Sequence, residues 1–242
     1  MIELERADEL VAEFLAATDG MWERIEVAGS VRRRLPKVND IDFVGIPTFG
    51  EAWQPVTQRD LFDDEEGSVV IRTYSFGEWV TANADEEAPE GVPQTVKRNC
   101  RLRGQTVSHT RSIVRFFWQS AEFDVYIAQP DAFAILWLIR TGPNRPRGGY
   151  GPDDPGAEQN QALAMRAIRQ GKSLAYTQGI GIKKTGEMLT FETEAGVYAE
   201  LGLPYCPAQH RDHPAWIGLI RSDRKEGIGK VWLPFGDRGS LV

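Results

Sequence analysis

Only two cysteines, Cys100 and Cys206, occur in 242 residues, too few for a disulfide framework, so reduced thiols are the default reading. Long apolar runs are missing as well. The longest, Ala132 to Ile139, falls far short of the roughly 20 residues that cross a bilayer as a helix. The N-terminal MIELERADEL places acidic residues where a secretory signal is basic and apolar. These absences point to an intracellular, cytoplasmic protein with no membrane partner. Histidine is scarce, and Cys206, His210 and His213 offer three ligands without a clear fourth, so no zinc site is expected. An overall basic excess is lacking too: the net charge is −7, which argues against indiscriminate coating of nucleic acid. Neither internal repeats nor low-complexity tracts occur.

What is present suits a globular chain able to bury an ordinary core, as one domain or two small ones, with 41% apolar and 26% charged residues. Charge is unevenly distributed. Residues 95–117 hold Lys97, Arg98, Arg101, Arg103, Arg111 and Arg115 and no carboxylate, whereas 60–66 and 85–90 are strongly acidic. A locally basic surface on an acidic protein is compatible with this pattern.

Leu4, Ala7, Leu10, Val11, Phe14 and Leu15 recur at helical spacing and predict an amphipathic helix over 3–17, ending near Gly20. A short strand over 23–28 is broken by Gly29-Ser30. The basic loop Arg32 to Lys37 leads into a strand over 39–46. Residues 47–99, with a candidate strand over 68–74, suggest an exposed and partly irregular excursion. Strands over 112–118 and 122–128 form a hairpin, and Ala132 to Arg140, opened by Pro130 and Asp131, is a helix apolar on nearly every face. Gly- and Pro-rich residues 143–156 are a candidate hinge. Residues 158–169 predict a helix with Arg166, Arg169 and Lys172 at three-residue intervals, 174–188 a turn-rich stretch, and Thr193 the cap of a short helix ended by Gly202.

Three aspartates stand out because aspartate is unfavourable in strands. The period of two places Asp40 and Asp42 on one face and Ile41 and Phe43 on the other. Adjacent carboxylates repel and call for a cation; magnesium, a hard ion with oxygen ligands, suits them. Asp124, flanked by Phe123 and Val125, adds the further carboxylate that two-metal phosphoryl transfer needs. Gly29-Ser30 lets the backbone approach a phosphate, and Arg33 is a bidentate phosphate donor. Taken singly, Gly29-Ser30 is a plain tight turn, Asp40 and Asp42 a solvent-facing pair, and Asp124 an exposed strand residue. Arg166, Arg169 and Lys172 are equally a solvated basic face or a nucleic-acid contact. Only the combination is informative.

GSVRRRLPKVNDIDFVGIP resembles the palm motif of the family X DNA polymerases, which joins Gly-Ser, an Arg-Arg pair and Asp-x-Asp at this spacing. FDVYIAQPDAFAILWLIRTG resembles the family's third-aspartate strand and the helix ending in Thr-Gly. QNQALAMRAIRQGKSL and TEAGVYAELGLPYCP resemble the start and end of its terminal subdomain. The likeness covers about residues 22–47 and 110–207.

This resemblance implies an α+β nucleotidyltransferase palm with a mixed β-sheet flanked by helices over 1–142, carrying an insertion at about 49–107. A small thumb-like α/β subdomain and tail would occupy 143–242. Asp40 and Asp42 would ligate two Mg2+ ions, with Mn2+ as a substitute, and Asp124 the ion at the primer 3′-hydroxyl. Gly29, Ser30 and Arg33 would hold the β- and γ-phosphates of a dNTP, and Thr141 and Gly142 would contact its sugar and base. The partner would be a DNA primer-template or gapped DNA in repair. Two departures qualify this: the stretch before Gly29 is too short for the family's N-terminal lyase domain, and Ile139 and Arg140 stand where two aromatics are common. The second bears on exclusion of ribonucleotides. Template-independent transfer to a nucleic-acid end or small molecule, and a nucleic-acid-end binding module with vestigial chemistry, are the alternative expectations.

Overall fold

The computed structural model describes residues 1–48, 75–85, 113–142 and 158–222. The strand expected over 68–74, the hinge over 143–156, and most of the basic and acidic runs lie outside the described residues.

Among the described residues, a mixed four-stranded sheet in the order β2-β4-β6-β5 forms the centre, from β2 (Trp22–Val27), β4 (Ile41–Pro47), β5 (Ile113–Trp118) and β6 (Ala121–Ile127). β4 and β6 are parallel, while the β2 and β5 pairings are antiparallel. The β5–β6 connection is a two-residue turn, Gln119-Ser120, with φ of 50° and 62°. Positive φ at both positions is the primed turn that matches strand twist. β1 (Ile2–Glu3) pairs with β3 (Lys37–Val38) at one margin.

One sheet face is fully apolar. Ile41, Phe43, Val114, Phe116, Phe123 and Val125 pack there against Ala7, Leu10 and Phe14 of α1 (Leu4–Ala17). A further helix, α3 (Ser75–Asn83), adds buried Phe76 and Val80 to the same core. Residues 75–83 thus depart from the exposed excursion expected over 47–99, because Phe76 is consumed by the core, its ring centred 4.5 Å from that of Trp22.

The opposite face is covered over part of its length by α4 (Phe133–Thr141), whose Phe133 and Leu136 pack with Val44, Ile46 and Tyr126. The other side of α4, through Ile135, Leu138 and Ile139, enters the C-terminal core with Leu163, Tyr198, Leu201 and Trp216. Burial on both sides is why α4 is apolar nearly all round. The C-terminal elements are α5 (Glu158–Arg169), a sheet of β7 (Lys172–Ala175), β8 (Gly179–Ile182) and β9 (Met188–Leu189), then α6 (Glu194–Glu200) and α7 (Pro214–Arg221). The turn-rich stretch is thus a three-stranded antiparallel meander. Thr193 Oγ1 caps α6 by accepting from Gly196 N at 3.2 Å. No described helix is long and apolar enough to cross a membrane.

Candidate active site

The sheet face that α4 leaves uncovered carries the carboxylates. Asp42 and Asp124 are direct partners in the parallel β4–β6 register, and Asp40 immediately precedes β4, which begins at Ile41 rather than at Asn39. One oxygen from each of the three lies within 4.8 Å of the others. Ile41 and Phe43, on the opposite face, are fully buried, so the alternation fixes which way the acids point.

Burial, followed by the charges of Asp40 and Asp124, holds the Asp42 carboxyl well above the usual carboxylate range, with Arg33 and Arg140 opposing. An all-oxygen donor set of this kind fits a hard divalent cation such as Mg2+ or Mn2+.

Gly29 abuts this cluster. Its φ is 56°, and a Cβ there would fall on the Asp42 carboxylate. Ala28 N donates to Asp42 O at 2.7 Å, tying the turn to β4. Gly29 opens the one-turn helix α2 (Gly29–Arg32). Ser30 Oγ is buried with no hydrogen-bond partner among the described residues. Native folds seldom leave such a group unsatisfied, and a ligand oxygen would satisfy it.

Two side chains unmarked by the sequence reading share the face. Arg115 on β5 sits opposite Asp124 in the hairpin register and grips it with Nε and Nη2 in a fork, with Glu122 at 3.5 Å. It appeared in the sequence only as part of a general basic run; the two-residue turn fixes the pairing. Tyr126, two residues beyond Asp124, places its hydroxyl 3.4 Å from Asp124 Oδ2. Arg140 stacks over the Tyr126 ring at 4.0 Å.

Arg33 donates through Nη1 to Thr141 O at 2.8 Å, and its Nε lies 3.7 Å from Asp212 Oδ2. Burial pulls its pKa down, with Asp212 and Asp42 opposing. The neighbouring Arg32 stacks on Trp137 and bonds Thr141 Oγ1 at 2.6 Å and both oxygens of Glu194. Thr141 is therefore engaged by both arginines, side chain and carbonyl. Gly142 lies against Asn160, whose amide occupies the space a Cβ would need.

Arg166, Arg169 and Lys172 lie away from this cluster and are bound to main chain. Arg166, 8% exposed, donates to the carbonyls of Leu201, Gly202, Ile220 and Ser222. Arg169 reaches those of Ile220 and Arg221, and Lys172 reaches Glu200 O at 2.6 Å. These cations engage the carbonyl ends of α6 and α7, Arg166 buried and Arg169 exposed. Likewise His213 Nδ1 accepts from Ala215 N at 3.2 Å, capping α7.

No protein-family model and no curated protein sequence matches the chain. Among solved structures it is similar to the polymerase beta of Leishmania infantum, solved as a ternary P/T complex. The TM-score is 0.52 at 14% sequence identity, over 87% of this chain and 76% of that one. At that identity the likeness speaks for fold alone: the chain has a mixed α+β fold similar to that of polymerase beta, with three acidic residues placed where a metal could bind.

Proposed function

We propose that the chain is a metal-dependent nucleotidyltransferase that adds dNMP from a dNTP to a DNA primer 3′-hydroxyl and releases pyrophosphate, filling gaps in repair. The observation that carries this reading is the convergence of Asp40, Asp42 and Asp124 within 4.8 Å beside Gly29-Ser30, in a fold similar to polymerase beta. The three aspartates would hold two Mg2+ ions, or Mn2+, which when bound neutralise charge at the reacting phosphate and acidify the attacking hydroxyl.

The chain's own residues supply the rest. Ser30 Oγ donates to a β- or γ-phosphate oxygen, and Gly29, lacking a side chain, lets the triphosphate reach the backbone beside Asp42. Arg33 contributes charge, and the Thr141-Gly142 end of α4 lines the sugar and base. Arg115 fixes the orientation of Asp124 through two bonds, so that carboxylate is presented in one rotamer. Tyr126 adds a hydroxyl contact to the same carboxylate.

Primer extension with Mg2+ or Mn2+, with and without template, tests the reading. Wild type is expected to extend a gapped duplex and Asp124→Ala to lose extension; full extension by that variant would overturn it.

A second reading, template-independent transfer to a nucleic-acid end or small molecule, is favoured by one observation. The cations expected to track nucleic acid, Arg166, Arg169 and Lys172, are bound to main-chain carbonyls. Extension of single-stranded primers, and comparison of dNTPs with NTPs, separates the two.

A further inference from the structure

Arg140 is the penultimate residue of α4, and the central carbon of its guanidinium lies over the Tyr126 ring, 4.0 Å from its centre. Tyr126 in turn touches Asp124 through its hydroxyl. Stacking holds a guanidinium plane in place without consuming its N–H donors. Those donors are open: Nε is buried with no hydrogen-bond partner, and among the described residues no hydrogen bond engages its other nitrogens. The neighbouring arginines differ. Arg32 is committed to Glu194 and Thr141 and Arg115 to Asp124, while Arg33 spends Nη1 on the Thr141 carbonyl and faces Asp212, its Nε being likewise buried without a hydrogen-bond partner. The charge of Arg140 nevertheless acts on Asp42, drawing its carboxyl down.

A buried cationic donor left unsatisfied is costly to keep, and a planar fork of free N–H groups matches an oxyanion.

We propose that Arg140 is a substrate-binding residue: its guanidinium, propped on Tyr126, donates to a phosphate oxygen of a triphosphate held at the carboxylate cluster. This rests on the reading of Asp40, Asp42 and Asp124 as the metal site of a nucleotidyltransferase. The sequence marked Arg140 only as a missing aromatic; the geometry gives it a ligand class.

The test uses the full chain as wild type, Arg140→Met and Arg140→Lys. Calorimetry measures binding of inorganic tripolyphosphate in Mg2+, a probe without sugar or base, and electron paramagnetic resonance measures Mn2+ alone. Arg140→Met is expected to weaken tripolyphosphate binding about tenfold or more and Arg140→Lys by less, because the point charge survives and the fork does not. Mn2+ alone should bind Arg140→Met no more weakly than wild type. Unchanged tripolyphosphate affinity in Arg140→Met, an equal loss of Mn2+ affinity, or a wild type that binds no tripolyphosphate would overturn the proposal. A wild type that binds tripolyphosphate through Arg140 but incorporates no nucleotide on any primer would instead refute the polymerase reading and leave this one standing. Circular dichroism checks folding, and Arg140→Gln replaces the Met variant if that one does not fold.

Discussion

Arg32 and Glu194, 162 residues apart in sequence, meet in a two-point ion pair, Nη1 to Oε1 and Nη2 to Oε2, both at 2.7 Å. Glu194 Oε2 also accepts from Arg211 at 2.8 Å, and Arg211 reaches the Cys206 carbonyl. The turn bearing Gly29 and Ser30 is thereby bolted to the C-terminal core through charges that are almost wholly out of water, Glu194 being 3% exposed and Arg211 fully buried.

Removing the shared carboxylate should be expensive. Glu194→Gln leaves two buried guanidiniums uncompensated, which typically costs about 3–5 kcal/mol. Urea unfolding of the variant is expected to show that loss, and the double variant with Arg32→Met to recover part of it. A strictly additive double variant would show that the pair is not coupled.

Two carboxyls give pH dependences of opposite sign. Burial raises the Glu194 carboxyl, but the Arg32 hydrogen bond and the Arg211 charge outweigh it, and the net pKa is lowered. Its stabilisation is present above the unfolded value of about 4.3 and lost as pH falls through the lower folded value. Asp42 is raised, so between its unfolded value of about 3.9 and the higher folded one the native state binds more protons, and stability falls as pH rises. Without metal, Tm should therefore climb as pH falls through the raised Asp42 pKa and collapse only below about pH 4. Asp42→Asn should flatten the climb, and Glu194→Gln should shrink the collapse.

Gly29→Ala probes the contact between the Gly29-Ser30 turn and the acids. Alanine at φ 56° costs roughly 1–2 kcal/mol, and its methyl group displaces the Asp42 carboxylate. The expected result is a folded protein by circular dichroism whose Mn2+ affinity, read by electron paramagnetic resonance, drops sharply. Unaltered Mn2+ binding would show that Asp42 can move without consequence.

The parts of the site visible in the sequence were those set by local rules. Aspartates in strands, with apolar neighbours on the alternate face, give their direction away; Asp42 and Asp124 need only the β4–β6 pairing to meet. Gly29-Ser30 is legible because a turn between strands needs a residue tolerant of positive φ. The guanidiniums were not legible, because an arginine's partner is set by tertiary packing. Arg115 in a basic run became the clasp on Asp124, while Arg166, spaced like an exposed stripe, became a cap for carbonyls contributed by α6 and α7. The helix α3 was missed for the same reason: the aromatics that bury it find their partners on α1 and β2, far away in sequence.

Arg115 and Asp124 allow a test that links stability to the metal. Arg115→Met strips the fork from a carboxylate that is 1% exposed, and an unpaired buried charge costs about 3–5 kcal/mol. A divalent cation at the same carboxylate supplies the missing charge, and stabilisation by a ligand grows as RT ln(1 + [L]/Kd). The Mg2+-induced rise in Tm should accordingly be larger in Arg115→Met than in wild type, since the ion no longer competes with a guanidinium for Asp124. Nucleotide transfer should nevertheless fall, because Asp124 is then free to turn. A smaller Mg2+ response in the variant would show that the orientation Arg115 gives Asp124 matters more to the ion than its competition for the carboxylate charge.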